Sequence, residues 1–135
     1  MYRRIPRISW ELGTRTQTYL ELYTPRFSVT NDSSIPPPHQ APRSLDQVLE
    51  IAYSIVRNRS QSNDGAVGPQ ALIRDGSAAD PASIGVAVLI ANWTGYASDV
   101  DFEGAARDQL NFLLTVVPRT SDGALSHRNE QVQLW

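Results

Sequence analysis

The chain contains no cysteine. Disulfides, thiolate zinc sites and cysteine nucleophiles are excluded together. Histidine is nearly as scarce: His39 lies beside a proline run, and His127 lies far along the chain. No HExxH, paired-histidine or EF-hand spacing occurs, so no metal is expected. The glycines of Gly65-Ala66-Val67-Gly68-Pro69 lack a following Lys-Ser or Lys-Thr, so no phosphate cradle is expected, and no cofactor is implied. Basic excess is missing too. Twelve basic residues face 14 acidic ones, for a net charge of −2, which gives a nucleic-acid partner no electrostatic support. The longest apolar run, Val86–Ala91, is far short of the roughly 20 residues that cross a bilayer. No membrane association is expected. Met1–Trp10 carries Arg3, Arg4 and Arg7, but no apolar stretch of the secretory kind follows, and localisation is left open.

What is present is a 135-residue chain with nine prolines, long enough for one domain or part of one. Residues 1–43 are heterogeneous. Trp10–Tyr23 has a broken helical pattern, weakened by Gly13 and three threonines. Phe27–Thr30 reads as a short extended piece. Pro36-Pro37-Pro38 is polyproline-like, making Asn31–Arg43 a linker or surface arm.

A helical domain is expected over residues 44–135. Ser44-Leu45-Asp46-Gln47 matches a capping box. Leu45, Val48, Leu49, Ala52, Ile55 and Val56 then recur at spacings of three and four, one face of a helix reaching about Asn58. Ser60–Ala79, with turn signals at Asn63-Asp64-Gly65 and Asp75-Gly76-Ser77, reads as a long surface loop. Asp80-Pro81 opens a second helix, with the aspartate as cap. Its apolar residues surround the axis, which predicts burial on all sides. Gly85 and Ala87 would admit a close neighbour, and Gly95 would end the helix. Asp99 or Asp101 caps a third helix running to Val117, ahead of Pro118. Phe102, Ala105, Ala106, Gln109, Leu113 and Val117 form its inner stripe, with Phe112, Leu114 and Val116 widening it, while Arg107, Asp108 and Asn111 can face water. A turn at Asp122-Gly123 follows, and His127–Trp135 could begin another helix.

Carboxylates at Asp75, Asp80, Asp99, Asp101 and Asp122 all fall at turns or helix starts, where capping explains them. No GxSxG elbow accompanies Ser126-His127. The most informative segment is the last. Ser126, His127, Arg128, Asn129, Gln131, Gln133 and Trp135 combine a stacking surface with hydrogen-bonding groups suited to sugar rings. An ordinary amphipathic surface ending in a core tryptophan has the same spacing.

Asp80–Gly95, Ala105-Ala106-Arg107-Asp108-Gln109-Leu110 and Pro118–Arg128 together resemble segments of fungal six-hairpin glycosidase-like proteins, over about Trp10 to Trp135. These are similar to the unsaturated rhamnogalacturonyl and glucuronyl hydrolases. The resemblance implies an all-α fold, an (α/α)6 barrel of six helical hairpins with an irregular N-terminal arm here. It implies an oligosaccharide partner and no cofactor. In that family an aspartic acid protonates the C4=C5 double bond of an unsaturated uronic acid, water adds at C5, and the hemiketal opens to release the sugar. The family places a histidine upstream of Gln-x-Trp-x-Asp. His127, Gln133 and Trp135 match as substrate-binding residues, and the general-acid aspartate would come two positions after Trp135.

Twelve helices with their connections need roughly 200 residues. This chain is therefore expected to be an incomplete portion of such a barrel: the N-terminal fragment of a glycosidase-like protein, without activity alone, and able to self-associate through exposed apolar helix faces. The alternative is a small helical carbohydrate-binding or protein-interaction domain without catalysis.

Overall fold

The computed structural model describes residues 8–28, 30, 34–62, 65 and 67–128. Its regular elements are helical: α1 (Ser9–Tyr23), α2 (Asp46–Ser62), α3 (Gly85–Thr94) and α4 (Phe102–Thr115). Three 3₁₀ turns join them, at Pro25–Phe27, Arg43–Leu45 and Asp80–Ile84. Among the described residues, the only β pairings are two isolated antiparallel bridges. None of the described helices is long and apolar enough to cross a membrane.

The core forms where α2, α3 and α4 meet. Leu45, Val48, Leu49, Ala52, Ile55 and Val56 are all buried, which is the stripe the periodicity predicts for α2. They pack with Ile84, Ala87, Val88 and Ala91 of the next segment and with Phe102 and Ala105 of α4. Leu20 and Phe27 close the same cluster from the N-terminal side. Helices α3 and α4 are joined by a short connection and pack on each other, the pattern of an antiparallel helical hairpin. Gly95 ends α3 at φ 62°, a left-handed position that glycine fills without strain. Asp101 caps α4 by accepting from the Gly104 N–H at 2.8 Å.

Several expectations are corrected. The extended piece expected at Phe27–Thr30 begins instead as the 3₁₀ turn Pro25–Phe27. Ser44 does not cap α2. It lies inside the 3₁₀ turn Arg43–Leu45, and α2 runs on to Ser62 rather than Asn58. Asp80-Pro81 opens a 3₁₀ turn, where Asp80 donates its N–H to Ser77 Oγ instead of capping with its carboxylate. α3 is not buried all round: Leu89 is 55% and Trp93 44% exposed. Gly85 has open space around it, and the close approach falls at Gly13, where an added Cβ would lie 1.8 Å from Ser83 Oγ.

The segment after α2 is a surface loop only in its first part, where Val67 and Gly68 are exposed; from Ala71 it turns inward. Ala71, Leu72, Ser77 and Ala78 are buried, and α4 holds the strand-like stretch in place. Gln109 Oε1 accepts from the Leu72 N–H at 2.8 Å. Asp108, expected to face water, accepts from the Gln70 N–H at 3.1 Å and pairs with Arg59. The proline-rich arm is also docked. Trp93 Nε1–H donates to the Pro36 carbonyl at 2.6 Å, and the His39 N–H donates to the Trp93 carbonyl at 3.1 Å.

Candidate functional site

Two short segments, 50 residues apart, build the region around His127. After α4, Pro118–Ser126 folds into a tight hairpin. Thr120 N–H donates to the Ala124 carbonyl at 2.9 Å, Ser126 N–H donates to the Pro118 carbonyl at 2.9 Å, and Gly123 supplies φ 90°. The expected turn at Asp122-Gly123 is its tip. The Asp122 carboxyl is held below its ordinary value of 3.8, chiefly by the Thr120 hydroxyl and then by the Ala124 N–H.

The chain leaving this hairpin runs antiparallel to Gly76–Ala78. Ser77 bridges to Arg128, and Ala78 N–H donates to the His127 carbonyl at 2.9 Å. Ser126 is buried, His127 half-buried and Arg128 exposed. Gly76 sits at φ 86°, and a Cβ there would lie 3.7 Å from Arg128 Nη1, so the guanidinium passes directly over this glycine. The Arg128 guanidinium is therefore held at the surface over an anchored backbone, and His127, the preceding residue, is half-buried.

Asp75, which immediately precedes Gly76 in the chain, is already engaged. Asp75 Oδ2 accepts from the Ser9 N–H at 2.8 Å, and Oδ1 accepts from the Ser77 N–H at 3.1 Å. Asp75 thus caps α1 from a distant part of the chain, meeting an otherwise unsatisfied helix N–H. The other sequence-level aspartates are scattered. Asp99 accepts from the Tyr53 hydroxyl at 2.7 Å, which is the main reason the phenol is raised above 10.0. Asp101 caps α4, Asp122 holds the hairpin tip, and Asp80 opens the 3₁₀ turn. They form no shared acid–base pair. No group of three His, Asp or Glu side chains suited to a metal converges among the described residues.

Of the residues matched to the glycosidase-like pattern, His127 is placed as above. Gln133 and Trp135 lie outside the described residues, as does most of the helix expected over His127–Trp135. The pairing of the His127 segment with Gly76–Ala78 has no sequence signal, because neither stretch shows strand periodicity. No family model, curated protein or solved structure matches this chain.

Proposed function

We propose that this chain contributes a carbohydrate-binding edge to a glycosidase-like helical domain of the (α/α)6 type, and that its ligand is an oligosaccharide ending in an unsaturated uronic acid. The observation that carries this reading is the exposed Arg128 guanidinium lying over Gly76, on a backbone that runs through His127 and is pinned against Gly76–Ala78. Asp75, the adjacent acid, is engaged with two backbone N–H groups. The edge therefore offers the Arg128 guanidinium to an incoming carboxylate, the charge-assisted pairing by which arginine recognises such groups. The α3–α4 hairpin is the kind of unit from which such a barrel is built. Its exposed Leu110 and Leu114, one turn apart on α4, are suited to covering by a further helix or a second copy.

The test is calorimetric titration of the full chain with an unsaturated digalacturonide and with its saturated counterpart. Preferential binding of the unsaturated sugar is expected, weakened at least about fivefold by His127→Ala and by Arg128→Gln, a loss of about 1 kcal/mol or more each. Equal binding of both sugars, or none at millimolar concentration, would overturn the reading.

A further inference from the structure

The proline-rich arm meets the end of α3 as a peptide ligand meets a receptor. Over residues 34–41 only Pro36 is buried, and its neighbours on both sides are exposed. Three consecutive prolines fix φ and leave positions 36–38 without N–H groups, so the backbone there can only accept. Trp93 supplies the matching group. Its indole N–H, which can only donate, reaches the Pro36 carbonyl at 2.6 Å. The His39 N–H, the first donor after the prolines, donates to the Trp93 carbonyl at 3.1 Å. Aromatic surfaces that read polyproline segments exploit this pre-formed, acceptor-rich backbone.

The receiving end of α3 admits a close backbone. A Cβ on Gly95 would lie 3.0 Å from His39 Nδ1 and 3.8 Å from His39 Cα, so the arm crosses this glycine at contact distance. Trp93 is still 44% exposed with the arm in place, which leaves ring surface for a longer ligand. The arm's own fit carries strain. His39 sits at φ 57°, a left-handed position uncommon for a residue with a side chain. A ligand whose chain does not have to continue into α2 is free of that requirement. We propose that the Trp93–Gly95 end of α3 is a docking site for proline-rich segments, filled in cis by residues 36–39, and that a partner protein with an exposed polyproline stretch takes it by displacing the arm. The arm is then a built-in competitor, which lowers the partner's apparent affinity by the fraction of chains whose site is open. This surface shares no residue with the His127–Arg128 edge, so the uronide reading and this one stand or fall separately.

The test is fluorescence anisotropy of a labelled peptide with the sequence of residues 34–40, Ser-Ile-Pro-Pro-Pro-His-Gln, titrated with the full chain. Weak binding to the wild type is expected. Pro36→Ala in the chain removes the arm's buried ring and should tighten peptide binding at least about fivefold, because the cis competitor is weakened. Adding Trp93→Phe keeps an aromatic ring but removes the N–H donor, and should weaken binding again by about fivefold. A peptide with alanines in place of the prolines should not bind. Excess unlabelled peptide should speed amide exchange at His39, whose N–H is released as the arm leaves. These last two measurements use the unaltered chain. Absence of binding at millimolar chain, equal affinity for the alanine peptide, or an affinity that Pro36→Ala does not raise would overturn the proposal. So would an affinity indifferent to Trp93→Phe, or an unchanged His39 amide, either of which would place the peptide elsewhere.

Discussion

Replacing Gly13 with alanine tests how α1 is held. An exposed mid-helix glycine normally makes such a change favourable by about 1 kcal/mol. Here the new methyl would lie 1.8 Å from Ser83 Oγ and 2.8 Å from Ser83 Cβ. Rotating the hydroxyl away relieves only the first contact, so α1 or the 3₁₀ turn must shift. Overpacking of this kind costs about 1–3 kcal/mol. Gly13→Ala should therefore be neutral to destabilising, by up to about 2 kcal/mol once the helix gain of about 1 kcal/mol is subtracted. Ser83→Gly removes both clashing atoms. In that background the same Gly13→Ala change should stabilise the chain by about 1 kcal/mol, which makes the coupling about 1–3 kcal/mol. Urea denaturation of the four proteins in the cycle measures it. Equal stabilisation by Gly13→Ala in both backgrounds would refute the close approach of α1 to this turn.

Other contacts give further predictions. Asp108→Ala removes the acceptor shared by Arg59 and the Gln70 N–H and should lower stability by about 1–3 kcal/mol, with faster amide exchange around residues 70–72. Gln109→Met leaves the buried Leu72 N–H without its acceptor and should cost about 1–2 kcal/mol; an unchanged denaturation midpoint would show that this side chain does not anchor the segment. The Asp122 carboxyl is depressed by hydrogen bonds, so its contribution to the hairpin is present above the ordinary value of 3.8 and is lost as pH falls through its lower folded value. Carboxyl-carbon NMR should follow this titration, and Thr120→Val should move the midpoint upward.

Much of the helical framework was readable from residue spacing. The α2 stripe, the glycine ending α3 and the aspartate opening α4 are local signals, and each acts where local chemistry places it. Contacts between distant segments were not readable. Gly13 looked like a weak point in a helix because its partner, Ser83, is 70 residues away. Ala71, Leu72 and Ala78 looked like loop residues because they belong to short apolar pieces, Ala71–Ile73 and Ala78-Ala79, between turn signals, with no period to mark their burial. Asp108 and Gln109 sit on adjacent positions of α4, and spacing sends Asp108 to water and Gln109 to the inner stripe, where Gln109 is indeed buried. Only the path of the crossing segment decides what they hold. Leu89 and Trp93 show the opposite error: an apolar circumference does not guarantee neighbours on every side.

The same limit applies to the site. His127 was visible as one member of a polar and aromatic cluster, but its pairing with Gly76–Ala78 depends on two turns meeting in space. Asp75 was legible as a turn residue, and its role as the cap of α1 was not, because the helix it serves begins 66 residues earlier.

The most direct measurement of the central claim is a two-dimensional NMR titration of the isotopically labelled full chain with the unsaturated digalacturonide. The account predicts that the amides of Ser77, Ala78, His127 and Arg128 shift together and saturate with a single affinity, while those of the exposed face of α1 stay in place. Shifts confined to α1, or no saturable shifts along the Gly76–Ala78 and His127–Arg128 pairing, would contradict it.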